Sequence, residues 1–164
     1  MSSVLQSEPF SGYSDGEQPL ESYALFAGVF STGLALTLWS ANRRGRLPER
    51  FGIGDITAMA LTTHKVSRLL TKSSVTSFVR APFVRLEEKS GSNSLEERPR
   101  GDGLRRTVGE LLSCPECADQ WVAGGVLAGM LHAPRTTRAI TALYSALTAA
   151  DVLQYAYAGL KRRA

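Results

Sequence analysis

At 164 residues the chain has room for one domain, and a mean hydropathy of −0.08 argues against a protein that is membrane from end to end. Nineteen Lys and Arg against fifteen Asp and Glu give a net charge of +4 and a pI of 9.3. Such a balance raises the question of a nucleic-acid partner, which only the placement of the charges can answer.

Residues 1–20 combine Ser, Gly, Glu and Pro with isolated apolar residues, too little apolar surface to offset the entropy of ordering, and are expected to form a disordered acidic tail. Residues 21–164 then form a single helical membrane domain. Residues 23–40 are an uncharged run of 18, rich in Leu, Ala, Phe and Val and flanked by Tyr23 and Trp39, where interfacial aromatics belong. The run reads as a transmembrane helix. Because polar residues and no basic n-region precede it, it is expected to stay as an anchor rather than be cleaved as a signal.

Asn42-Arg43-Arg44-Gly45-Arg46 makes a basic turn. From Ile56 onward, Met59, Ala60, Thr63, Val66 and Leu70 recur at near-helical spacing, with Lys65 and Arg68 on a flanking face. This pattern predicts an amphipathic helix lying in the interface, its cationic side chains reaching the headgroups. Pro82 should halt any preceding helix. Residues 87–104 hold a Ser-Gly-Ser-Asn run and mixed charges without an apolar period, and read as a flexible polar insert.

Cys114-Pro115-Glu116-Cys117 then opens a stretch of small and apolar residues, 121–131. That stretch is too short to cross a bilayer unless the helix begins near Pro115 and continues to Ala133. Residues 139–160 give a further run of 22, interrupted by Asp151 and closed by Lys161, Arg162 and Arg163. The fold class is therefore all-α: a small polytopic membrane protein with three, alternatively four, membrane-embedded helices plus the interfacial helix.

Charge placement favours three spans. Residues 1–21 carry Glu8, Asp15, Glu17 and Glu21 and no Lys or Arg, which puts the tail outside under the positive-inside rule. Residues 42–118, with 14 of the 19 basic residues, and the C-terminal Lys-Arg-Arg then fall in the cytoplasm. Four spans would place His64, Lys65 and Arg68 at or within lipid. Membrane topology thus accounts for the basic residues, few aromatics are interleaved with them, and no nucleic-acid partner is expected. The expected location is the cell membrane, multi-pass, with the N-terminus outside and the C-terminus cytoplasmic.

Lys65, Arg68-Leu69-Leu70-Thr71-Lys72, Val75-Thr76, Arg80-Ala81-Pro82-Phe83 and Gly109-Glu110-Leu111-Leu112-Ser113-Cys114-Pro115-Glu116-Cys117 with Trp121 together resemble a bacterial family, the domain of unknown function numbered 1360. The resemblance covers residues 53–130, and the Cys-Pro-x-Cys-x-x-x-Trp element is its sharpest part. An aromatic usually stands between the cysteines, where this chain has Glu116. The resemblance implies a small bacterial or phage-borne membrane protein and brings no activity with it.

Ser113 can cap a helix that Glu116 answers three residues later, with Pro115 in the first turn, so the motif reads first as a helix entry. Helix-terminal N–H groups would favour a Cys114 thiolate in a redox pair, whereas Glu116 opposes one, and cytoplasmic thiols disfavour a structural disulfide. Zinc needs four ligands and the pair supplies two. His132 is roughly 22 Å away along a continuous helix, and His64 reaches only if its helix docks alongside. A symmetric dimer through the face of Cys117, Trp121, Gly124 and Ala128 would supply four thiolates, Gly124 and Ala128 permitting close approach.

Asp151 needs a partner or a purpose in a membrane helix: a packing bond to Tyr155, Thr148 or a neighbouring helix, or an ion site. Lys65, Arg68, Lys72, Arg80 and Arg85 are candidates for contact with anionic lipid or another anion, and no Gly-rich phosphate loop accompanies them. The expected function is non-enzymatic: assembly, scaffolding or membrane interaction, with the bilayer and a homo-oligomer or membrane complex as partners. The alternative is a thiol-redox or metal-dependent membrane enzyme centred on Cys114 and Cys117, with Glu110 and Glu116 the nearest carboxylates. No cofactor is expected in the leading reading, and zinc belongs to the alternative.

Overall fold

The computed structural model describes residues 19–90 and 94–162. Most of the expected tail lies outside the described residues. Four long helices form the body: α1 (Leu20–Arg43), α2 (Ile53–Lys72), α5 (Pro115–His132) and α6 (Pro134–Lys161). Between α2 and α5 the chain runs through a 3-10 turn at Ser74–Thr76, a short α3 (Ser77–Arg80), strands β1 (Val84–Ser90) and β2 (Ser94–Pro99), and α4 (Gly103–Ser113).

The predominantly helical expectation holds, with one correction. Where the sequence reading expects a flexible insert over 87–104, the chain forms an antiparallel hairpin, Val84 pairing with Pro99 and Leu86 with Glu97, with a register shift between Leu86 and Glu88. Leu95, Glu97 and Pro99 alternate inward against Glu96 and Arg98 outward. One inward position is the carboxylate Glu97, so the two-residue period is hidden from an apolar pattern. Arg80 supplies the reason: it is fully buried and grips Glu97 in a bidentate pair, Nε to Oε2 at 2.6 Å and Nη2 to Oε1 at 3.1 Å. Its remaining donors reach the Leu70 and Ser73 carbonyls and the Thr76 hydroxyl. Gly109 lets α4 close on the hairpin, since a Cβ there would lie 2.6 Å from the Phe83 carbonyl oxygen.

Helix direction departs from the three-span order. Tyr23 meets Glu110 beside the start of α5, Phe26 and Phe30 meet Trp121, and Ser40 meets His132. Hence α1 and α5 run the same way, whereas an α1–α5–α6 order of spans needs them opposed. Asp55, Ala58, Leu61 and Lys65 on α2 meet Arg138, Ser145, Thr148 and Asp151 on α6 in step, so these two helices run together in the other direction. α2 packs along both α5 and α6. Both connections 44–52 and Ala133 lie at one end of the bundle; the hairpin, α4, Leu20 and Lys161 lie at the other.

The α2–α6 seam is made of small and hydroxylated residues. Thr62, Thr141 and Thr148 are buried there, and Thr62 donates to the Thr141 carbonyl, Thr148 to Leu61 and Ser145 to Ala58. Each hydroxyl crosses to backbone on the facing helix, which brings the helices close without large apolar side chains between them. Leu25, Val29, Leu36 and Trp39 on α1, and Leu143, Val152, Leu153 and Leu160 on α6, face outward instead. Among the described residues α1 is the one helix long and apolar enough to cross a membrane by length and composition, and 6% of that apolar window is buried.

Candidate functional site

The helix entry at the Cys pair forms as the residue types dictate, one position later than expected. Cys114, extended at φ −108° and ψ 111°, is the N-cap, and its Sγ accepts from the Cys117 backbone N–H at 3.2 Å. Pro115 takes the first helical position, where its missing N–H costs nothing. Ser113, expected as the cap, instead closes α4 by donating to the Glu110 carbonyl at 3.3 Å. The Cys114 thiol is 3.4 Å from Glu116 Oε2, and Arg68 and Lys72 on α2 add their positive field at that carboxylate. Both cysteines are free, Cys114 half-buried and Cys117 exposed.

Beside the pair, α1, α4 and α5 line an open cavity of about 600 Å³. Cys114, Cys117 and Gln120 line it; Phe26, Phe30 and Trp121 form an aromatic wall, the two phenyl rings edge-on to the indole at 5.9 and 5.4 Å. Glu110 is the acidic group inside, held by the Tyr23 hydroxyl at 2.5 Å and by Arg106 Nε at 3.0 Å. The sequence reading named Glu110 and Trp121 but missed Tyr23, Phe26 and Phe30. Their spacing of three and four residues within the α1 apolar run puts all three on one helical stripe, a signal that an uninterrupted run of apolar residues conceals.

Gly124 faces Phe30: a Cβ there would lie 3.0 Å from Phe30 Cε2. The face proposed for a symmetric dimer is therefore occupied, at Trp121 and Gly124, by α1 of the same chain. Among the described residues no group of three or more His, Cys, Asp or Glu is assembled as for a metal ion, and His64 is exposed on α2. The pair offers zinc two ligands, with Cys117 exposed beside the Trp121 and Gly124 positions that pack against α1.

The basic candidates part company. Lys65 pairs with Asp151 at 2.5 Å, and Lys72 with Glu96 at 3.2 Å. Arg80 is turned inward onto Glu97 and does not present its guanidinium at the surface, which corrects its reading as an anion contact. Arg68 and Arg85 are exposed. Ala128 lies half-buried further along α5.

Comparison with protein families matches residues 58–157 to the family described as Protein of unknown function (DUF1360). No curated protein and no solved structure matches the chain.

Proposed function

We propose a non-enzymatic role in membrane assembly for this chain, which belongs to the DUF1360 family of proteins of unknown function. One observation carries the reading: beside a small apolar core of Ala41, Ala118, Met130 and Leu131, the helices bury hydroxyls and leave large aliphatic side chains exposed. Thr62, Ser67, Thr71, Thr141 and Thr148 are inside, while Leu36, Leu143, Val152 and Leu153 are outside. In water, each exposed aliphatic side chain forgoes about 1.5–3 kcal/mol of burial. In lipid the same surface is solvated, and hydroxyl-rich seams supply the helix contacts.

In this proposal α1, α2, α5 and α6 stand upright in the bilayer, and the Lys65–Asp151 pair lowers the cost of charge on α2 and α6. Among the described residues the end bearing the hairpin and Lys161 carries ten Lys and Arg (Lys72, Arg80, Arg85, Lys89, Arg98, Arg100, Arg105, Arg106, Lys161, Arg162) against six at the other, so in this proposal it faces the cytoplasm, and with it the start of α1 at Leu20. This orientation differs from the external N-terminus expected from the acidic tail. The outward apolar faces of α1 and α6 are the surfaces offered to lipid, to a second copy or to a membrane complex.

Alkaline carbonate extraction and labelling with a membrane-impermeant maleimide test the proposal. In a C114S/C117S background, single cysteines at Gly45 and Arg162 should label from opposite sides of sealed membranes. Labelling from the same side would restore the three-span order, and release of the protein by carbonate would defeat the membrane role.

A second reading has the cavity beside Cys114 and Cys117 in its favour: a thiol enzyme acting on an apolar molecule held against Trp121. Replacing both cysteines by Ser, with folding and assembly intact but phenotype lost, would favour it over the structural role.

A further inference from the structure

At the end of the bundle opposite the thiol cavity lies another cavity, of about 440 Å³, where the 44–52 connection folds over the turn from α5 into α6. Arg46, Arg50, Phe51, Asp55, His132 and Arg138 line it. Arg46 commits one Nη1 donor to the His132 carbonyl at 3.2 Å, which anchors the guanidinium at the cavity and leaves its other donors for a ligand. Arg138 makes a long contact, Nε to Asp55 Oδ1 at 3.4 Å, with both groups at least partly exposed. Arg50 is exposed. His132 is tethered from the opposite side, Nε2 lying 3.2 Å from Ser40 Oγ. Three arginines thus line one concave site with a single carboxylate, leaving it net positive and suited to an anion.

Guanidinium forks match the paired oxygens of a phosphate, and Phe51 supplies an apolar wall for the ester carbon beside it. The cavity also has a depth. Just before the connection, Arg43 stacks on Trp39 with its guanidinium carbon 4.6 Å from the ring centroid, a pairing of residue types that belongs at the bilayer–water interface. We propose that this cavity binds a phosphate ester anion through Arg46, Arg50 and Arg138. The membrane reading bears only on the source of the phosphate, a lipid headgroup or a free ester; the cavity's charge and shape stand without it.

The test uses the full chain in a maltoside detergent, titrated with dioctanoyl phosphatidylglycerol, dioctanoyl phosphatidylcholine or glycerol 3-phosphate, with thermal unfolding as the readout. A saturable rise in Tm with the anionic lipid but not the zwitterionic one is expected. R50Q/R138Q should weaken apparent affinity about tenfold, as for the loss of charge-assisted forks, while R44Q/R135Q removes two charges from the same end outside the cavity and should change it less than about twofold. R50K keeps the charge and the fold, and should still weaken binding. Saturation by glycerol 3-phosphate at similar concentrations would identify a free phosphate ester as the source; saturation by the lipid alone would identify the headgroup. No saturable response to either anion, or equal losses in the two double variants, would overturn the proposal. The membrane reading fails separately, by carbonate release, and the glycerol 3-phosphate titration reads the cavity whichever way that falls.

Discussion

Lys65 on α2 and Asp151 on α6 meet at 2.5 Å across a seam of threonines, so the charge that interrupts the last apolar run is answered by the charge that interrupts the α2 pattern. Each charge alone reads as an argument against a membrane helix. Together they are a cross-helix pair with their side chains 25% and 43% exposed on the bundle surface.

Removing one partner should cost more than removing both. Asp151→Asn leaves the Lys65 ammonium uncompensated and is expected to lower stability by about 1–2 kcal/mol, between the values for exposed and buried pairs. The Lys65→Met/Asp151→Leu double variant should recover most of that loss. A double-mutant cycle on unfolding in detergent measures the coupling, and additive effects would show that the pair does no structural service.

Arg80 and Glu97 form the deeper pair. Arg80→Ala strands a nearly buried carboxylate and frees three acceptors, so a loss of about 3–5 kcal/mol is expected. Arg80→Lys keeps the charge without the fork and should recover only part. Hydrogen exchange should report the damage first in β1 and β2; uniform exchange across all the helices instead would show that the pair does not anchor the hairpin in particular.

At Gly124, a larger side chain must displace the Phe30 ring. Gly124→Leu is expected to destabilise by about 1–3 kcal/mol, and adding Phe30→Ala should relieve part of it. Cross-linking should show the same oligomeric state before and after the change. A dimer lost specifically with Gly124→Leu would mean that this face serves a second copy after all.

Cys114 caps α5 through its sulfur. Cys114→Ser should keep the cap, and Cys114→Ala should cost about 0.5–2 kcal/mol, the range for losing an N-cap acceptor. Protein purified under reducing conditions is expected to titrate two thiols per chain without stoichiometric zinc. One zinc per two chains with protected thiols would point to an intermolecular site on a surface other than the Trp121–Gly124 face.

The helical character of the four long segments and the helix start at the Cys motif were legible in local sequence, whereas α3 and α4 were not. A Pro at the first helical position and an apolar run of 18 residues act through chemistry that neighbouring residues supply. The hairpin was not legible, because Glu97 occupies an inward strand position that only Arg80, seventeen residues earlier, makes tolerable. Nor was the cavity beside the cysteines: Tyr23 lies 87 residues from Glu110, Phe26 and Phe30 are similarly distant from Trp121, and no local pattern records that pairing.

By itself, the order of residues determined that the chain is predominantly helical, where its four long helices run, and that a helix starts at Pro115. Tertiary structure alone decided the direction of α1 relative to α5, the inward turn of Arg80, the partner of Asp151 and the meeting of three arginines around one cavity. Hydropathy and helical period are sums over neighbours, whereas ion pairs and hydroxyl-to-backbone bonds between helices depend on which surfaces meet. Charges that look prohibitive one at a time become acceptable once each faces its counterpart.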